Sequence, residues 1–176
     1  MELEEKILQI RADLEKNKYP MRVKVAEDAF NCYAYALGTE FNDPDRGGPI
    51  MDYVFNLGSI SKKGFPRKIT QVKEVFMADM DALGVECKEA FYDEPLQDGE
   101  WRVLLLYRAP KEYLGDGWLG YGFHFVRENN NGIWSHRGGC LWSQVEVLKK
   151  HPKDIDWSKK WNYDIVGYFI LKVGER

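Results

Sequence analysis

The stretch Phe30-Asn31-Cys32-Tyr33-Ala34-Tyr35-Ala36-Leu37-Gly38 decides how the rest of the chain is read. Asn31 is of a type that caps helices by accepting from a free backbone N–H; Ala34, Ala36 and Leu37 favour helix, and Gly38 is a natural stop. The pattern predicts a short helix that opens on Cys32. A thiol at that position meets the positive end of the peptide dipoles, which favours the thiolate, its nucleophilic form. Cys32 is therefore a candidate nucleophile. Cys87 and Cys140 read instead as small buried hydrophobes, the usual state of a free cysteine.

A nucleophilic thiol needs a base, and two histidines lie far downstream, in Gly122-Phe123-His124-Phe125-Val126-Arg127-Glu128 and Ile133-Trp134-Ser135-His136-Arg137. Both runs are rich in aromatic and β-branched residues and flank an Asn/Gly cluster, which predicts strand, turn, strand. Residues opposite each other on antiparallel strands share a face, with Cβ atoms roughly 4.5–5.5 Å apart. A loop of Asn129-Asn130-Asn131, closed by Glu128 opposite Gly132, pairs His124 directly with His136. A two-residue Asn131-Gly132 turn is the stronger isolated signal, but it sends one histidine to the other face. The odd-numbered loop is preferred on functional grounds. Phe123 and Phe125 then point away from the histidine face. His124 reads as general base, and His136 as the group that holds its ring in the working tautomer.

The order Cys, then His on one strand, then a polar residue on the next resembles the papain-like cysteine hydrolases, specifically NlpC-type peptidoglycan peptidases and CHAP-type amidases. Cys32 falls where that family has its nucleophile, His124 where it has its base, and His136 where it has the third residue, often His, Asn or Gln. The same segments are similar to a set of bacterial and phage proteins sharing Asn-Cys-Tyr-x-Tyr-Ala and a later His-Phe…Gly-x-Trp-Ser-His. The match covers under a fifth of the chain. The resemblance implies a papain-like (NlpC-type) fold in which the helix bearing the nucleophile packs on an antiparallel sheet, and a substrate that is a peptide or peptidoglycan fragment. There are departures. The span from Cys32 to His124 is longer than in compact NlpC-type domains. The Gln that papain-type enzymes place before the nucleophile is absent from 21–31, which leaves the Cys32 N–H, with Asn31 or a nearby tyrosine as second donor, to meet an oxyanion; Asn31 and Tyr33, beside the nucleophile, are candidate substrate-binding residues.

The remaining sequence supports one α+β domain over 1–176. With 176 residues, 44% of them hydrophobic, the chain is long enough to bury a core. A net charge of −3 with dispersed lysines argues against nucleic acid as a partner. The start Met1-Glu2-Leu3-Glu4-Glu5-Lys6 has no basic segment followed by an apolar core, and no apolar run approaches the roughly 18 residues of a membrane span. These features predict a cytoplasmic protein without membrane partners, with release at phage lysis or non-classical export as other routes. Three cysteines without Cys-x-x-Cys fit a reducing compartment. Oligomeric state is not legible.

Apolar spacing predicts an amphipathic helix over 2–16 and a clearer one over 69–83, stopped by Gly84. An edge strand is expected at 85–91, a more buried one at 101–108, and a central strand with both faces covered at 164–171. Helices first and strands afterwards give the α+β class. A loop rich in Asn, Asp, Pro and Gly at 41–49 is placed to border a cleft. Trp118, Tyr121 and Trp134 are candidate platforms for substrate, although aromatic residues near a hairpin more often belong to a core.

Other chemistries are weaker. Cys32, His124 and His136 have no recognised zinc spacing, so no metal is expected. Gly115-Asp116-Gly117-Trp118-Leu119-Gly120 has the G-x-G-x-x-G spacing without its βαβ setting, and reads as a loop. The residues thus support cofactor-free hydrolysis of an amide or isopeptide bond through a Cys-His-His triad and a thioester. Glutamine deamidation uses the same triad. The other class is a non-catalytic protein- or glycan-binding module, separable by thiol reactivity, since only the enzyme requires a Cys32 of depressed pKa.

Overall fold

The computed structural model describes residues 1–16, 31–39, 54–109, 122–129, 132–138 and 145–175. The loop expected at 41–49, the glycine motif at 115–120, and Trp118, Tyr121 and Cys140 lie outside them.

The predicted helices form α1 (Leu3–Lys16), α2 (Cys32–Leu37) and α3 (Ile69–Leu83), and a short α4 (Trp157–Trp161) that the sequence reading did not anticipate. Strands β1 (Val85–Ala90), β2 (Glu100–Arg108), β3 (Gly122–Glu128), β4 (Trp134–Arg137), β5 (Val145–Val147) and β6 (Asp164–Val173) make one six-stranded sheet in the order β1-β6-β2-β3-β4-β5. Every pairing is antiparallel. The α+β class and the antiparallel sheet follow, with β1 at an edge and β6 in the interior as the hydropathy suggested. Full coverage of β6 does not. Phe169, Ile170 and Leu171 are buried, but Asp164 and Ile165 are exposed.

Alternation along the strands sorts the apolar residues into two cores. Trp101, Val103, Leu105, Tyr107, Phe125, Phe169 and Leu171 face one way and pack with α1, α2 and α3. Leu104, Leu106, Val126 and Trp134 face the other way and pack with Trp157 of α4, with Trp161, Tyr163 and Tyr168 alongside. This division determines what each candidate side chain can touch.

A six-residue helix is too short to persist on propensity alone, so α2 depends on having its ends satisfied. The Asn31 side chain accepts from the Tyr33 and Ala34 N–H groups, each at 3.0 Å. At the other end Gly38, at φ 72°, turns the chain so that its N–H reaches the Ala34 and Tyr35 carbonyls. The Ala36 carbonyl accepts from the Trp101 indole at 2.9 Å, and the Tyr35 carbonyl from the Arg127 guanidinium at 3.0 Å. All six residues of α2 are buried. The cap and stop read from the sequence hold, and the sheet supplies the other partners.

Candidate functional site

Cys32 occupies the first helical position of α2, packed against β3 and β4. The loop over 54–64 fixes that helix start. The Asn31 amide donates to the Phe55 carbonyl at 2.8 Å while its oxygen caps the helix. Asp79 of α3, fully buried, accepts from the Tyr33 hydroxyl at 2.9 Å and from the Gly58 and Ser61 N–H groups at 2.8 and 2.9 Å. Gly58 sits at φ +82°, and a Cβ there would lie 2.0 Å from the Gly64 carbonyl oxygen, so only glycine closes this loop.

These contacts correct two substrate-binding assignments. Tyr33 is fully buried, with its hydroxyl committed to Asp79 and its ring stacked on Phe125 at 4.8 Å. Asn31 has both ends of its amide occupied by the helix cap and Phe55. A third correction concerns Trp134. It is 4% exposed and packs edge-on against His151 and Tyr168, as part of the second core.

The two histidines do share a face, though not as directly opposed residues. The β3–β4 ladder pairs Arg127 with Ser135 and Glu128 with Trp134. Continuing it sets Val126 opposite His136 and makes His124 the diagonal neighbour. Gly132 is the reason. It adopts φ +77°, and its N–H closes onto the Asn129 carbonyl at 2.8 Å, so it belongs inside the turn rather than opposite Glu128. The shift is a whole pair, which preserves the face, and diagonal neighbours are within reach of ring side chains. His124 Nε2 and His136 Nδ1 lie 3.1 Å apart, with the rings nearly perpendicular.

The face on which they meet is not the face that carries Cys32. Phe123 and Phe125 project toward α2 and contact Tyr33, so His124, between them in sequence, projects to the other side. There it lies 5.3 Å from the Trp161 ring and 6.3 Å from that of Tyr163, and His136 lies 5.2 Å from Trp161. Among the described residues no hydrogen bond joins Cys32 to either histidine. The structure brings the two bases together and leaves the thiol in the opposite core.

The electrostatics match that burial. Desolvation raises the Cys32 thiol to about 12, against the pull of the backbone N–H groups of Phe125, Cys32 and Tyr33 and the charge of Arg137. The expected depression at the helix terminus is thus corrected: removing a sulfur anion from water outweighs a short dipole. Cys87 is raised to about 12 by burial alone. Burial, and then the neighbouring His136, push His124 down to about 3. His136 is lowered by burial, with Glu146 opposing and Lys160 assisting. Both imidazoles are neutral at physiological pH.

Several participants were not singled out from sequence. Asp79 lies on the apolar stripe of Val72, Val75, Phe76, Met80 and Leu83, and a carboxylate on such a stripe signals a buried partner. Arg127 alternates with Phe123 and Phe125 and so had to enter the aromatic face, where it donates to Tyr35 and stands over its ring. Glu146, Trp161 and Tyr163 reach the histidines through the fold, and no local pattern announces them.

No family model, curated protein or solved structure matches this chain. Among the described residues no helix is long and apolar enough to cross a membrane, and no three His, Cys, Asp or Glu side chains cluster as metal ligands.

Proposed function

We propose that this protein is a cysteine hydrolase of papain-like type that cleaves an amide or isopeptide bond in a peptidoglycan stem peptide or a protein, and that the packed arrangement described above is its resting form. The observation that carries the reading is the polarity around Cys32. The Phe125, Cys32 and Tyr33 N–H groups and the Arg137 charge all favour a thiolate, and burial alone opposes it. The sulfur sits at a helix start that Asn31 caps and holds in place, a setting that favours thiolate once water reaches it. In the reaction the Cys32 thiolate attacks the amide carbon, His124 takes the thiol proton and passes it to the leaving amine, and water opens the thioester. His136 keeps the His124 ring oriented through their hydrogen bond. The working form requires the Cys32 sulfur to come within reach of His124 Nδ1 while the His124–His136 contact is kept.

One observation favours the other class. Cys32 and the histidine pair face opposite cores, the arrangement expected of a non-catalytic binding module on the same fold. Mass spectrometry of peptidoglycan fragments and a peptide library, incubated with wild type and Cys32→Ala, separates the readings. A Cys32-dependent product that gains one water supports hydrolysis, and Gln converted to Glu in an uncut chain indicates deamidation. A folded wild type that yields no Cys32-dependent product replaces the enzyme with the binding module.

A further inference from the structure

The histidine pair has a third member on the neighbouring strand. The β4–β5 register sets His136 directly opposite Glu146, so the two side chains leave the sheet on one face. Glu146 Oε2 lies 3.4 Å from His136 Nε2, longer than a good hydrogen bond, and no closer partner meets that buried nitrogen among the described residues. On the other side of the ring, His136 Nδ1 lies 3.1 Å from His124 Nε2. Three groups on three strands therefore form one line, carboxylate to imidazole to imidazole.

We propose that Glu146 is a positioning residue that fixes where the protons sit on His136 and His124, leaving Nδ1 of His124 as the bare, proton-accepting nitrogen of the pair. A neutral imidazole carries one N–H and one lone pair. With the lone pair of His136 on Nε2, two electron-rich atoms would face each other at a buried position, so the proton belongs on Nε2, toward the carboxylate. His136 Nδ1 is then an acceptor, and the 3.1 Å contact requires His124 Nε2 to donate. That uses the single proton of His124 and leaves its Nδ1, the ring nitrogen nearer the β3 backbone, unprotonated. Burial supports the premise by holding both rings neutral. Among the described residues Lys160 is the other charge acting on His136, and it disfavours a second proton there. The use of His124 Nδ1 as a catalytic base rests on the hydrolase reading; the proton positions do not.

The test is long-range ¹⁵N–¹H correlation NMR of the imidazole nitrogens at neutral pH. The chain has only three histidines, so single His→Gln variants assign the spectrum. The Glu146 side chain is 72% exposed, which lets its variants fold. Wild type is expected to show Nε2–H on both His124 and His136. Glu146→Ala should lower the Nε2–H to Nδ1–H ratio of His136 by about threefold, the loss of one largely exposed charge contact. Glu146→Gln, whose amide oxygen still accepts, should restore most of it. Glu146→Lys places a donor where the acceptor was and should invert both rings, moving the His124 proton to Nδ1. Nδ1–H on His124 in wild type, or proton positions unchanged in both Glu146→Ala and Glu146→Lys, would overturn the proposal. No substrate enters this measurement, so a failed search for Cys32-dependent product removes the hydrolase and leaves the proton positions standing.

Discussion

On the α2 side of the sheet Tyr33 lies flat on Phe125, Arg127 donates to the Tyr35 carbonyl, and the Asp79 carboxylate gathers three donors. On the other side His124 and His136 hold each other, wedged among Trp161 and Tyr163, and the chain of contacts runs outward to the exposed Glu146. Both sides bury polar groups, but they meet the desolvation cost differently. The first surrounds each group with fixed partners from helix, loop and sheet. The second keeps its titratable groups neutral and links them to solvent through one carboxylate. A closed network serves rigidity, whereas a neutral imidazole chain with an outlet can move a proton.

Core truncations should show the largest contrast between the two sides. Phe125→Ala removes the ring on which Tyr33 stacks and beside which Phe76 packs, and is expected to cost about 3–5 kcal/mol in urea unfolding. Val126→Ala, one residue on and facing the other core, should cost about 1–2 kcal/mol. Equal costs would mean that the Phe125 ring is not packed against Tyr33 and Phe76 as the first core has it. Next in size is Asp79→Ala, which strands the Tyr33 hydroxyl and the Gly58 and Ser61 N–H groups and should destabilise by about 3 kcal/mol. Asp79→Asn keeps one acceptor oxygen and should lose roughly half as much.

The histidine side should show itself in acid. His124 is held near 3 when folded and returns to about 6.5 when unfolded, so between those values the unfolded chain binds a proton that the native state refuses. That contribution to stability is complete above about pH 6.5 and is lost as pH falls toward 3, at up to about 1.4 kcal/mol per pH unit. Thermal melts across this window should flatten in His124→Gln; an unchanged slope would place the acid sensitivity elsewhere.

The smallest effect is one of rate. Cys32 and Cys87 are both raised to about 12, but Cys32 is 3% exposed while Cys87 is only partly buried. Peptide mapping after iodoacetamide treatment of the free protein should find Cys32 labelled more slowly than Cys87. Faster labelling of Cys32, slowed further by His124→Ala, would show the thiol and the imidazole already in communication across β3.

What the sequence alone determined was local. The Asn31 cap, the Gly38 and Gly84 stops, the helices at 3–16 and 69–83 and the strands near 85, 101 and 164 follow from short-range periodicity and cap chemistry, and these depend on neighbours a few residues away. The shared face of His124 and His136 was one of two outcomes the sequence allowed, and the register of β3 against β4 decided it. Tertiary structure decided which face of the sheet α2 would cover. Phe123 and Phe125 offered an apolar surface, and a fully apolar helix buries more area against it than against the strip holding two imidazoles, which carried Cys32 to the side away from its candidate base. The same packing set the Cys32 thiol near 12, since desolvation depends on everything that surrounds the sulfur and not on the residues beside it in the chain.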